Sequence, residues 1–409
     1  MDMTASEPPP GGWIASVEAA PGIPVLRWAS RAKSIADIEK ELARIWAQPD
    51  LRTDVSGDGR SDRHVAARTS VLNLVVVARR PELGERCAAT ISQLTGRHPS
   101  RTLILSPADP DGPAWLDGQI QAHCVLPRKD APEICAEIIY LTAGGEAGQH
   151  LQAIVAPLLV HDLPVTVWWP GEPPFGTRMA DDVVAMADRI IVDGATWSGD
   201  GLARLRRMAA LFGDPTLAVT DFALTRQSRW REAIASTFDM PDLLPYVNSI
   251  RSIQVSYSAH DDSGVGGATN VIKPLYHIAW LASRLGMTVE KPLTAGATGW
   301  SGQILSATLR SGRRQIVAEL RPVTSEAASG TTLRVDITAT RGRSELNVSV
   351  TAEADTVHCR AWQDGEPVLD RTFLAARKTD VDLLADAIEV TGRDPVGTDA
   401  IRVAAELAG

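Results

Sequence analysis

An imidazole, a hydroxyl and a guanidinium stand close together in His98-Pro99-Ser100-Arg101. Converging on one point, His98, Ser100 and Arg101 would offer donors to an anion such as a sugar phosphate. A second group lies between Leu158 and Pro174, where His161-Asp162-Leu163-Pro164 makes an acidic turn and a short strand ends in Trp168-Trp169. Successive strand side chains point to opposite faces, so one indole is expected in a core and the other at a rim beside the loop opened by Pro170. Trp230-Arg231 is the third group, a ring and a guanidinium of the kind that stack and pair at recognition hot spots. An indole supplies neither a proton-transfer group nor a nucleophile. These residues suit binding better than bond-making.

The motifs of common reactions are missing from the sequence. Neither G-x-G-x-x-G nor G-x-x-x-x-G-K-[ST] occurs, and Gly264-Val265-Gly266-Gly267 and Gly144-Gly145-Glu146-Ala147-Gly148 read as ordinary turns. Glu146 would repel a phosphate. Gly299-Trp300-Ser301-Gly302-Gln303 lacks the second glycine of a G-x-S-x-G elbow. There is no H-E-x-x-H, and the pairs His123-Cys124 and His358-Cys359 would place neighbouring ligands on opposite strand faces. No catalytic residue, metal ligand or cofactor site is expected.

Composition narrows the class further. A hydrophobic content of 44% and a charged content of 22% are those of a soluble globular protein. The net charge of −9 argues against nucleic acid, whose phosphates need a basic surface. The four cysteines, Cys87, Cys124, Cys135 and Cys359, show no C-x-x-C spacing and read as reduced thiols. Met1 to Gly12 lacks the basic and apolar regions of a signal peptide, and the longest apolar runs are too short for a bilayer. A cytoplasmic protein with no membrane partner is the expectation. Eleven tryptophans against five phenylalanines and four tyrosines fit either amphipathic rings placed at interfaces or a GC-rich codon bias, which the many Ala, Arg and Gly residues also indicate.

A chain of 409 residues exceeds one ordinary core. Residues 1–60 read as an arm and an amphipathic helix opened by Ser34, with Ile35, Ile38, Leu42 and Ile45 on one face. Residues 61–240 read as an α/β domain with a largely parallel sheet flanked by helices. Its strands are Val71–Val77, Thr102–Leu105, Gln119–Leu126, Ile134–Leu141, Val165–Trp169, Arg189–Val192 and Leu217–Val219. Helices are expected at Leu83–Leu94, Gln149–Leu159, Asp182–Met186 and Gly201–Leu211. The loops after Leu105, Trp169, Val192 and Val219 would then share one sheet edge. Residues 245–409 read as an α+β domain. It contains a strand Ile250–Tyr257, a Gly-rich loop His260–Thr269, a helix Lys273–Leu285, an antiparallel meander and two closing helices.

Taken in order, several segments resemble the OpcA family, the glucose-6-phosphate dehydrogenase assembly proteins of cyanobacteria, actinobacteria and other bacteria. They are Ala67 to Val76, His98-Pro99-Ser100-Arg101, Ile134 to Ile139, Pro157 to Val165 with Trp168-Trp169, Asp221-Phe222 with Trp230-Arg231-Glu232, and Ala279 to Gly286. The resemblance implies a non-catalytic protein that binds glucose-6-phosphate dehydrogenase, promotes its active oligomer and raises its activity at the entry of the oxidative pentose phosphate pathway. It also implies redox control through cysteines in cyanobacterial members, for which Cys359 alone gives no C-terminal thiol pair.

Two functions therefore stand as expectations. In the first, His161, Asp162, Leu163, Pro164, Trp168, Trp169, Trp230 and Arg231 face the partner dehydrogenase. In the second, the chain is an enzyme or sugar-phosphate-binding protein using His98, Ser100 and Arg101 at the C-terminal edge of the sheet, where α/β ligands usually sit.

Overall fold

The computed structural model describes residues 12–13, 20–47, 66–109, 111–128, 133–213, 216–260, 269–299 and 302–409. Half of the expected N-terminal segment 1–60, and residues 261–268 of the Gly-rich loop, lie outside the described residues. Two compact units divide the chain, one of residues 1–191 with 380–391 and one of residues 192–379 with 392–409.

The first unit is α/β. Its elements are β1 (Gly12–Trp13), β2 (Pro24–Ala32), α1 (Ile35–Trp46), β3 (Ala66–Arg68), β4 (Leu72–Val77), α2 (Pro81–Leu94), β5 (Ser100–Pro107), β6 (Trp115–Val125) and β7 (Glu133–Gly144). There follow α3 (Glu146–Gln149), α4 (Leu151–Val155), β8 (Val165–Trp169), α5 (Arg178–Val184) and β9 (Arg189–Val192). Strand order runs β1-β2-β6-β7-β5-β4-β8-β9, with β3 pairing β7. The middle is parallel, β7 with β5, β5 with β4 and β4 with β8. The β1-β2-β6-β7 side is antiparallel.

Local chemistry accounts for these elements. The Ser34 hydroxyl accepts the Asp37 N–H and caps α1, whose Ile38, Leu42 and Ile45 are buried. Gly118 of β6 lets that helix sit close, because a Cβ there would lie 2.9 Å from Ile38 Cδ1. Every residue of β4 is buried, as a strand covered on both faces requires. The single helix expected at Gln149–Leu159 is interrupted. His150 breaks from helical angles between α3 and α4, and a 3₁₀ turn at Ala156–Leu158 carries Pro157 in its first positions.

Cys124 and Cys135 form a disulfide, their Cα atoms 4.0 Å apart, where the expectation was four reduced thiols. The antiparallel ladder of β6 and β7 sets these two residues directly opposite each other, a proximity that their sequence spacing conceals. Cys87 and Cys359 are free and buried.

The second unit comprises α6 (Leu202–Ala209), β10 (Ala218–Asp221), α7 (Phe222–Thr225), α8 (Ser228–Phe238), β11 (Ile250–Ser258), α9 (Ile272–Arg284), β12 (Thr288–Gly299), β13 (Gly302–Ser311) and β14 (Arg314–Val323). It continues through β15 (Thr332–Arg341), β16 (Ser344–Glu353), β17 (Thr356–Gln363) and β18 (Glu366–Leu374). The helix α10 (Asp380–Glu389) returns to the first unit, and α11 (Pro395–Ala408) ends the chain in the second. An eight-stranded sheet runs β12-β13-β14-β11-β15-β16-β17-β18, with β11 and β14 parallel and the remaining neighbours antiparallel. Val335, Ile337 and Ala339 of β15 are buried and alternate with polar residues, the period-two signature of a sheet covered on one face. The face they form is packed by α8 and α9. No helix among the described residues is long and apolar enough to cross a membrane.

Candidate functional site

A polar side chain buried in an apolar strand is costly unless its hydrogen bonds are filled. Asn73 is wholly buried inside Leu72–Val77, and the filling is what builds the site. Its amide donates to the carbonyls of Val160 at 2.9 Å and Leu163 at 3.2 Å, and its side-chain oxygen accepts the Val160 N–H at 2.8 Å. Its backbone N–H donates to the Pro164 carbonyl. One side chain thus fastens both ends of the turn that enters β8.

A second buried group holds the approach to that turn. Arg101, early in β5, donates from its side chain to the Leu158 carbonyl at 3.0 Å and from Nε to Glu137 at 2.6 Å. Glu137, on β7, is 1% exposed and also accepts the Trp46 indole N–H. The turn itself is open. His161, Asp162 and Pro164 are exposed and Leu163 is half-buried. Asp162 has φ +65°, a left-handed conformation that Asp tolerates better than most residues. The result is an exposed acidic turn on a rigid mount, at the N-terminal end of β8.

The residues expected to bind an anion take other partners. Arg101 is committed to Glu137 and Leu158, the Ser100 hydroxyl is buried 2.9 Å from that of Thr102, and His98 Nε2 lies 3.1 Å from Glu389 Oε1. Ser100 and Arg101 begin β5, so they stand at the N-terminal edge of the parallel strands and not at the C-terminal edge expected for a ligand.

Both indoles of Trp168-Trp169 are buried, at 3% and 2% exposure, so neither ring reaches a rim. They do part to opposite faces, but β8 is covered on both. Trp169 meets Phe175 edge-on, with ring centroids 5.7 Å apart. Trp230 is half-buried and its ring lies 5.1 Å from that of His277. Arg231 donates to the Leu224 carbonyl, and burial holds its guanidinium below its ordinary range.

The second unit holds a strongly shifted carboxylic acid. Asp221 is fully buried, and burial together with the neighbouring Asp193 raises its carboxyl to about 6. It accepts the N–H groups of Gly194 and Ala223 and the Tyr276 hydroxyl at 2.6 Å, while Asp193 pairs with Arg226 at 2.7 Å. Protein donors fill both oxygens of Asp221, and the arrangement ties β10 to α9. The sulfurs of Cys124 and Cys135 lie near the Glu133 carboxylate, but the disulfide and the Arg27–Glu133 pair engage these groups.

Asn73, Glu137 and Trp46 were not among the expected site residues. The sequence signal was present: Asn73 interrupts the apolar run of β4, and Glu137 interrupts the mostly apolar run of residues 134–141 in β7. Asn73→Ala is expected to cost about 2–4 kcal/mol, the sum of its lost side-chain bonds and the stranded Val160 N–H. Hydrogen exchange at Val160 should quicken, and unchanged protection there would contradict the clamp.

Residues 91–210 match a family model described as the glucose-6-phosphate dehydrogenase subunit N-terminal domain, and residues 217–401 match the corresponding C-terminal domain. A protein of Nostoc punctiforme named as the OxPP cycle protein OpcA is 24% identical over 192 residues, 46% of this chain and 38% of that one. Its namesake from Synechococcus elongatus is 25% identical over 202 residues, 49% of this chain and 43% of that one. The matched span is thus less than half the length of either relative. Among solved structures, an oxidoreductase from Klebsiella pneumoniae is 9% identical with a TM-score of 0.44, covering 83% of this chain and 92% of that one. The oxidoreductase yvaA of Bacillus subtilis is 10% identical with a TM-score of 0.43, covering 83% and 97%. Likeness at that level carries no argument about function.

Proposed function

The chain belongs to the OpcA family of glucose-6-phosphate dehydrogenase assembly proteins, and from that premise we propose that it binds this dehydrogenase and favours its active oligomer. The observation that carries the reading is the exposed turn His161–Pro164 fastened by buried Asn73. A recognition loop ordered before binding avoids the entropy of ordering on contact, at about 0.5–1.5 kcal/mol for each immobilised side chain. Arg101, Glu137 and residues 158–164 lie within the span that matches the family's N-terminal domain and meet around this turn, which supports the same reading. Trp168 and Trp169, buried at the opposite, C-terminal end of β8, belong to the core of the first unit. Trp230 and Arg231 are a secondary contact.

An activator of this kind works by binding the active state more tightly than the inactive one. A coupling of about 1–3 kcal/mol shifts substrate affinity roughly 5- to 150-fold. Sedimentation of the purified chain with the dehydrogenase of its own organism tests the contact. A double variant His161→Ala/Asp162→Asn, which retains a residue tolerant of positive φ, should weaken the complex about tenfold or more, about 1.4 kcal/mol. Its own unfolding midpoint should not move. A complex indifferent to both changes would place the contact elsewhere.

A further inference from the structure

At the opposite end of the parallel strands the first unit contains a cavity of about 670 Å³. Small-molecule sites typically span about 300–1,000 Å³. Its place in the topology is informative. From β4 the chain proceeds outward through β5 to β7, then returns to lay β8 on the other side of β4. The two directions diverge between β4 and β8, and crevices at such a switch point, outside the carboxyl ends of the strands, are where open α/β sheets take ligands. The cavity is lined by residues that follow β4, β5, β7 and β8.

The lining chemistry is cationic. Arg79 follows β4, Arg178 opens α5 after β8, and His150 stands at the break between α3 and α4. Among the described residues neither guanidinium pairs with a carboxylate, and no carboxylate lines the cavity. Thr177 has a positioning part: its hydroxyl donates to the Pro174 carbonyl and accepts the Ala180 N–H, fixing the first turn from which Arg178 extends. Gly148 lets the α3 turn close, because a Cβ there would lie 2.8 Å from the Ala143 carbonyl oxygen. Pro107, Ala108 and Met179 supply an apolar wall.

We propose that this cavity binds a small organic phosphate, with Arg79 and Arg178 on the phosphate oxygens, His150 as a third donor and the organic body against Met179 and Pro107. Guanidinium forks match phosphate geometry, and the apolar wall with this volume exceeds what a bare anion needs. The proposal concerns the isolated chain and does not depend on the dehydrogenase reading.

Calorimetric titration and thermal shift of the full chain would use glucose 6-phosphate, 6-phosphogluconate, adenosine monophosphate, glucose and inorganic phosphate. At least one phosphorylated compound should bind saturably and raise the unfolding midpoint, while glucose should do neither. Arg79→Gln/Arg178→Gln should weaken that binding at least tenfold, Arg178→Lys should weaken it by less, and the exposed control Arg313→Gln should leave it unchanged. Absence of binding by all three phosphorylated compounds would overturn the proposal. So would binding that survives the double glutamine variant, or inorganic phosphate binding as tightly as the best organic phosphate. Because Arg79 and Arg178 are exposed, the variants should fold, and Arg178→Lys keeps the test decisive if the double variant does not.

Discussion

Glu137→Ala is expected to destabilise the first unit by about 3–5 kcal/mol, the usual result of removing one partner from a buried ion pair. Glu137 and Arg101 have side chains 1% and 10% exposed, so water cannot replace the missing carboxylate. The variant leaves a buried guanidinium with the Leu158 carbonyl but without its Glu137 counter-charge. It also removes the acceptor of the Trp46 indole N–H. Glu137→Gln should cost less, since an amide oxygen still accepts, yet it forfeits the charge on which Arg101 depends. Urea unfolding followed by a probe in the first unit measures the difference. Because Arg101 also holds Leu158, exchange in residues 158–164 should quicken in Glu137→Ala as well. A loss below about 1 kcal/mol would mean that the pair is solvated.

Acid should weaken the second unit through His277, by up to about 5 kcal/mol between pH 6.5 and pH 3. Burial, with the Arg231 charge as a smaller cause, lowers this imidazole from 6.5 to about 3. Neither ring nitrogen has a hydrogen-bond partner among the described residues. The unfolded chain therefore takes up a proton near pH 6.5 that the folded chain refuses until about pH 3. Stability is complete above 6.5 and declines as pH falls, at about 1.36 kcal/mol for each unit. Asp221 acts in the other direction. Its folded value of about 6 exceeds the ordinary 3.8, so its contribution is complete below 3.8 and lost as pH rises through 6. At pH 4.5 the two effects are about 3 kcal/mol of loss and about 2 kcal/mol of gain, and the wild-type curve should be shallow. His277→Leu removes the first. Denaturant titrations at pH 7 and pH 4.5 should show the variant becoming more stable on acidification while the wild type does not. Parallel behaviour would contradict a neutral buried His277.

Much of this fold could be read where burial is periodic. The Ser34 cap and the spacing of Ile38, Leu42 and Ile45 define α1, and the alternation in β14, β15 and β16 marks three strands of the second sheet, although β11 inserts between β14 and β15 and interrupts the expected meander. By contrast, β2 reads as irregular because Arg27 lies buried in it, and its partner Glu133 stands on a distant strand. Strand β12 contains Pro292 and two glycines, and β18 is almost wholly exposed, so neither shows an apolar pattern. The candidate site was half legible. The turn at His161–Pro164 followed from its residue types, but its mount follows from Asn73, Arg101 and Glu137 meeting across strands whose order the sequence does not reveal. Trp168 and Trp169 were expected to split between core and rim. Their strand is covered on both faces, so alternation alone could not expose either ring. The cavity residues Arg79, His150 and Arg178 belong to separate loops, and only the parallel register gathers them.

We propose a protein that alters glucose-6-phosphate dehydrogenase by holding it. The most direct measurement titrates the purified chain into the dehydrogenase of its own organism and follows the apparent affinity for glucose 6-phosphate. A saturable change of roughly 5- to 150-fold, reduced by His161→Ala/Asp162→Asn, is the predicted outcome. Affinity and rate that stay constant up to a large excess of the chain would contradict it.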